Sequence, residues 1–130
     1  MRNFVAVLIA LAFVCKSHAA AQSFTLRVAS VESAYEMGKL SIKMDSNKRD
    51  QKFSLPEKSL SSYSLVVNAR EVNVNKEAGF LSVELIVKDK TGKAVGYSAA
   101  TVPSKKFSLA AGFTDPTDSK RQVAVSIDNL

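Results

Sequence analysis

The stretch 79–102 constrains the fold more than any other part of the chain. Its first half carries apolar side chains at every second position: Leu81, Val83, Leu85 and Val87. A period of two places these side chains on one face of a β-strand. The following Asp-Lys-Thr-Gly at 89–92 predicts a turn, because Asp accepts local backbone hydrogen bonds and Gly adopts positive φ. The alternation resumes at Val95, so the stretch predicts a β-hairpin whose first strand is central in its sheet.

The second arm of this hairpin is built of small residues at 96–100, apart from Tyr97. So little bulk leaves two interpretations open. Either another sheet packs very close to this arm, or the arm is a weakly covered edge at which a partner chain can pair.

Shorter alternating segments recur along the rest of the chain, at 23–32, 39–45, 53–55, 62–74, 107–109 and 123–127. About seven to eight short strands without a convincing helix predict an antiparallel β-sandwich, immunoglobulin-like or C2-like. The pattern does not single out one family, because the Cys pair and Trp of immunoglobulin domains are missing. Within 62–74 the apolar positions change phase, which predicts a β-bulge or a corner near 69–71.

The amino terminus predicts a secretory signal peptide at residues 1–19. A short positive start precedes an apolar run at 4–14 and small residues suited to cleavage after Ala19, or alternatively after Ala21. The run is too short for a transmembrane span. Residues 22–130 then form a single secreted domain, in the extracellular space, the periplasm or the endoplasmic reticulum lumen. Cys15 either leaves with the signal or, as an alternative, is lipidated.

Loss of the signal removes the only Cys and the only His, together with Arg2 and Lys16, and leaves 16 basic and 12 acidic residues. The mature chain is then disulfide-free, with a net charge of +4. Thiol and imidazole catalysis and the usual zinc and copper ligands are excluded. We expect no enzyme and no cofactor; a small carboxylate-dependent hydrolase is the third and least favoured hypothesis.

Basic residues concentrate in three predicted loops, at 46–51, 75–78 and 103–106. If the strands run strictly up and down, these loops share one end of the sandwich, whereas a Greek-key crossing would separate them. The candidate binding residues at this end are Lys48, Arg49, Lys76, Lys105 and Lys106. Such an end can attract an anionic glycan, a lipid headgroup or an acidic protein surface. Alternatively, these residues only solubilise turns.

Nucleic-acid binding is not expected, because the aromatic residues sit mainly at alternating core positions. Three apolar residues, Tyr35, Met37 and Phe113, fall in predicted loops, where they form either a contact patch or lids over the core. The acidic residues at 45–50 and at 113–118 favour turn formation over calcium binding. The sequence therefore predicts a non-catalytic binding module. The alternative is a structural subunit that assembles through β-edge pairing of its last strand.

Overall fold

The computed structural model of the protein describes residues 21–32, 35–115 and 121–129. The eight strands are β1 (Ala21–Ser30), β2 (Glu36–Asp45), β3 (Lys48–Ser54), β4 (Ser64–Val74), β5 (Glu77–Lys88), β6 (Ala94–Pro103), β7 (Ser108–Thr114) and β8 (Gln122–Asp128). A single 3₁₀ turn, Lys58–Leu60, is the one helical element in these residues. The expected signal peptide at 1–19, with Cys15, lies outside the described residues.

The strands form two antiparallel sheets of four strands each, which confirms the predicted β-sandwich. Sheet 1 has the order β2-β1-β8-β7, and sheet 2 has the order β3-β4-β5-β6. The chain passes between the sheets at β2–β3 and β6–β7, and β8 pairs with β1. Each sheet thus joins strands that follow one another in the chain, apart from the β8–β1 pair. This order differs from the Greek-key order of immunoglobulin domains.

The predicted hairpin is present, and its first arm, β5, is central in sheet 2. Each of its four alternating apolar side chains is at most 1% exposed. They face a row from sheet 1 that is equally buried: Leu26, Val28, Val123, Val125 and Ile127. Because full burial of one such side chain contributes roughly 1.5–3 kcal/mol, these two rows supply much of the driving force for folding.

The hairpin turn forms as its sequence predicts. The carboxylate of Asp89 accepts hydrogen bonds from the backbone N–H groups of Thr91 and Lys93 at 2.9 and 3.0 Å. Gly92 has φ of +85°, the conformation for which glycine is suited.

The polar segment 46–51, predicted as a loop, is mostly strand. Only Ser46 and Asn47 form the turn, and β3 begins at Lys48. The buried amide of Gln51 compensates for the missing ladder between β2 and β3, since it accepts from the Asp45 N–H at 2.7 Å and donates to the Asp45 carbonyl at 2.9 Å. The prediction of a loop at 46–51 was wrong because the hydrogen-bond partner of Gln51, Asp45, lies on another strand, β2.

The bulge or corner predicted near 69–71 is also misplaced. Pairing between β4 and β5 is uninterrupted from Ser64 to Val72, and the register shifts only between Val72 and Val74. The apparent phase change arises because Val72 lies on the outer face of sheet 2, opposite Phe80. Val72 and Phe80 therefore form an apolar pair outside the core, and this pair led the sequence pattern to indicate a change of face where the strand has none.

Of the three apolar residues expected in loops, only Tyr35 is exposed, at 68%. Met37 lies in β2 and packs against the core. Phe113 lies in β7, is buried, and stacks on Tyr63 with ring centroids 5.1 Å apart. The contact-patch alternative is therefore wrong for Met37 and Phe113, which cover the core as the second alternative states, although from strands and not from loops.

The last strand is not a free edge. β8 lies between β1 and β7 and pairs with both, so its backbone groups are already used. In the described part of the chain the edge strands are β2, β7, β3 and β6. The observation that motivated assembly through the final strand is thereby overturned.

Glycine permits close contact at the two open sides of the sandwich. A Cβ atom on Gly96 of β6 would lie 2.6 Å from the Gly112 carbonyl oxygen of β7. On the opposite side, a Cβ atom on Gly38 would overlap the carbonyl oxygen of Pro56. Gly96 thus lies very close to the other sheet, as the first interpretation of this arm states, but β6 is also an edge strand with no buried residue, as the second interpretation states.

We predict that Gly96→Ala lowers the free energy of unfolding by about 1–3 kcal/mol, because the added methyl group forces β6 away from β7. Gly112→Ala is the matched control, since its Cβ would meet its nearest neighbour at an ordinary 3.6 Å. Urea denaturation followed by circular dichroism measures both. Equal stability of the two variants would contradict the close approach.

Candidate functional site

The outer face of sheet 2 carries a compact group of polar side chains on β4 and β5. The register places Asn68 directly opposite Glu84, and Arg70 directly opposite Ser82. These positions alternate with the buried apolar row, so the packing of the core directs them outward. Cross-strand neighbours of this kind lie within contact distance of each other.

A solvent-open cavity of about 320 Å³ lies over this group. We call it the arginine pocket; its lining residues are Asn47, Arg49, Asn68, Ala69, Arg70, Ser82 and Glu84. The β2–β3 turn forms one wall, because the side-chain oxygen of Asn47 accepts a hydrogen bond from the Glu71 N–H at 3.0 Å.

Glu84 is fixed by two hydrogen bonds from different strands. It accepts one from the Asn68 amide at 2.6 Å and one from the Tyr97 hydroxyl of β6 at 2.8 Å. Asn68 in turn accepts from the Asp50 N–H at 2.6 Å. Asp50 has a positive φ of 56° and lies where the β3–β4 register shifts. One polar network therefore connects all four strands of sheet 2.

The two arginines of the pocket differ from the other arginines of the described residues. In the described residues, the Arg49 and Arg70 side chains form no ion pair and donate no hydrogen bond, whereas Arg27 and Arg121 each bridge to a carboxylate. Two guanidinium groups therefore line one cavity with their donors open to a ligand.

The network also sets the charge state of the pocket. Hydrogen bonds from Asn68 and then Tyr97 lower the pKa of Glu84, and the positive charge of Arg49 acts in the same direction. The same carboxylate raises the pKa of Tyr97, because the phenol donates to it. At neutral pH, Glu84 is therefore an anion and Tyr97 a neutral donor.

The candidate binding residues are at one end of the sandwich, as the up-and-down order requires. Lys76 occupies the β4–β5 turn, Lys105 and Lys106 lie between β6 and β7, and Lys48 and Arg49 begin β3. They do not converge, however. Since β3 and β6 are the two edges of sheet 2, the first and last pairs are separated by roughly 14 Å. Of the five residues, only Arg49 lines the arginine pocket.

Sequence reasoning missed the rest of the pocket. Neither Arg70 nor Glu84 was among the candidate binding residues. Glu84 accepts hydrogen bonds from Asn68 and Tyr97, and Glu71 accepts one from the Ser46 hydroxyl at 3.1 Å. The available signal was a polar run on the outward positions of two adjacent strands, but the cross-strand register was needed to join them.

The acidic turn residues that the structure describes bond to groups close to them in the sequence. Asp45 accepts from the Asn47 N–H at 2.9 Å, and Asp115 is buried in an ion pair with Arg121. Asp118 lies outside the described residues. Among those residues, no three His, Cys, Asp or Glu side chains are grouped to hold a metal, and no helix is long and apolar enough to cross a membrane.

These features define an all-β protein of two packed antiparallel sheets with a polar pocket on the outer face of one sheet. No protein-family model, no curated protein and no solved structure matches the chain significantly. Function is therefore inferred from the geometry of the pocket.

We predict that Asn68→Ala raises the pKa of Glu84 towards its ordinary value, and by more than Tyr97→Phe does, because the Asn68 amide makes the shorter hydrogen bond to the carboxylate, at 2.6 Å against 2.8 Å. The bonds to ionised Glu84 favour folding above the ordinary pKa, and their contribution is lost as pH falls through the lowered one. NMR titration of the side-chain carboxyl carbons measures the shift. Ser82→Ala, which touches the pocket without bonding Glu84, is the control, and an unchanged Glu84 titration in Asn68→Ala would contradict the network.

Proposed function

We propose that the protein is a secreted, non-catalytic binding module that holds an anionic group in the arginine pocket. The observation that carries this proposal is that two guanidinium groups, Arg49 and Arg70, line one cavity and have no ion-pair or hydrogen-bond partner among the described residues. Secretion is supported by the signal-peptide pattern at 1–19.

The pocket suits the recognition of oxyanions. A guanidinium group presents a rigid fork of N–H donors that matches carboxylate, sulfate or phosphate oxygens in bidentate geometry. Asn47, Asn68 and Ser82 add neutral polar groups around the same cavity. The shared chemistry of the anionic glycan, the lipid headgroup and the acidic protein surface is thus an oxyanion held by two arginines.

The state of Glu84 favours binding over catalysis. A general acid at neutral pH needs a carboxyl whose pKa is raised, but here hydrogen bonds lower the pKa. Hydrolysis of a glycoside also needs a second carboxylate across the cleft, whereas Glu84 is the one carboxylate among the lining residues.

We predict that the double variant Arg49→Gln, Arg70→Gln weakens binding to a sulfated polysaccharide by at least about tenfold, since each lost charge-assisted hydrogen bond is worth roughly 1.5–3 kcal/mol. The matched control is the double variant Lys105→Gln, Lys106→Gln, because it removes the same charge from the basic end outside the pocket. Elution from a heparin column and isothermal titration calorimetry at two salt concentrations provide the measurements.

A selective loss in the arginine variant supports the pocket. Equal losses in the two variants would show that diffuse positive charge attracts the ligand, and the pocket proposal would fail.

A further inference from the structure

We infer that the anionic ligand is an acidic oligosaccharide, with one charged group in the arginine pocket and another of its sugar rings on the face of Tyr97. This inference rests on the proposed function and adds the chemical class of the ligand. It draws on two features that a simple anion site does not need: the carboxylate of Glu84 and the exposed ring of Tyr97.

The first feature is an acceptor inside an anion site. Ionised Glu84 has about four lone-pair positions, of which Asn68 and Tyr97 occupy two. A bare sulfate or phosphate offers no donor to the remaining positions and is repelled by their charge. A saccharide carries hydroxyl groups beside its charged group, so it satisfies the arginines and donates to Glu84 at once.

The second feature is an aromatic ring with a fixed position. Tyr97 is 61% exposed, yet its hydroxyl is anchored to Glu84 at 2.8 Å and its backbone lies opposite Ile86 in the ladder. Aromatic faces pack well against the C–H faces of sugar rings, with weak C–H contacts added to apolar burial. Because the anchored ring is already ordered, little conformational entropy is lost on binding.

The placement of these groups indicates a ligand longer than one ring. Arg49 lies on the edge strand β3, Glu84 on β5 and Tyr97 on β6, so the polar groups extend over roughly 14 Å across the strands. This distance favours an oligosaccharide that crosses the sheet, with its anionic unit over β3 and β4 and a more distant ring over β6.

Two other classes of partner fit less well. A membrane surface would meet the ionised Glu84 in the middle of the contact area. A single-stranded nucleic acid stacks successive bases on several rings, whereas Tyr97 is the one large aromatic side chain exposed on this face among the described residues.

The test compares four probes by calorimetry on the same protein: a sulfated heparin tetrasaccharide, a hyaluronan tetrasaccharide that carries carboxylates only, inorganic sulfate, and oligo-deoxythymidine. Vesicles of phosphatidylserine and phosphatidylcholine are added in a sedimentation assay. We expect one of the tetrasaccharides to bind most tightly, and the two sugar probes reveal whether sulfate or carboxylate is preferred.

Tyr97→Ala is expected to weaken the preferred tetrasaccharide by about fivefold, through loss of the aromatic contact. Tyr35→Ala is the matched control, because Tyr35 is similarly exposed, at 68%, but lies in the β1–β2 loop of sheet 1 and not on the outer face of sheet 2. Circular dichroism of both variants verifies their folding, and Tyr97→Phe separates the ring from the hydroxyl: it retains the ring contact and loses only the anchor.

The outcomes distinguish the two claims. Arginine-dependent binding of sulfate, with no gain for a tetrasaccharide and no effect of Tyr97→Ala, overturns the saccharide inference and leaves the proposed function standing. Tighter binding of vesicles or oligonucleotide also overturns the inference. If none of the probes binds in a manner that depends on Arg49 and Arg70, both claims fail.

Discussion

The burial of one face of β5 is the constraint on which the rest of the molecule depends. Leu81, Val83, Leu85 and Val87 are all but inaccessible to solvent, and a shift of one residue would expose them and bury Glu84. The core thereby fixes the register of β5 against β4 and β6. That register places Asn68 and Tyr97 within hydrogen-bonding distance of Glu84. Hydrophobic packing on one face thus orders a polar network on the other.

The contacts at the two open sides complete the sandwich. Gly96 lets β6 approach β7, and Gly38 lets β2 approach Pro56. At the β2–β3 corner, the amide of Gln51 replaces backbone pairing with three hydrogen bonds to the Asp45 and Lys48 main chain. Side chains and glycines therefore hold the two sheets together at these places, as continuous backbone pairing holds the strands together within each sheet. This arrangement also fixes the start of β3, where Arg49 enters the pocket.

Local patterns were sufficient to predict much of this fold. The hairpin at 79–102 was predicted because alternation, an Asx-type turn and a glycine all lie within one short segment. The end of β3 at Ser54 falls within the alternating segment predicted at 53–55. The start of β3 was missed, because Gln51 forms its bonds across the corner. Phe113 was assigned to a loop, because its stacking on Tyr63 joins residues 50 positions apart.

The site was harder to predict than the fold. Counting charges in loops found Arg49, and the up-and-down order correctly brought the basic loops to one end. The rest of the pocket forms only through the β4–β5 register, which brings together Asn68, Arg70, Ser82 and Glu84. This register depends on the apolar face of the two strands as well as on their polar face. Charge composition alone therefore indicated the basic end as the binding site, whereas strand pairing indicates the outer face of sheet 2 as the binding site.

The most direct test of this account is an NMR titration of the isotopically labelled protein with a heparin tetrasaccharide. If the ligand binds on the face of sheet 2, the largest amide shift changes occur at Asn68, Arg70, Ser82 and Glu84 and extend to Tyr97. Changes concentrated at Lys76, Lys105 and Lys106, with the sheet face unaffected, would place the ligand on the end turns and contradict the account.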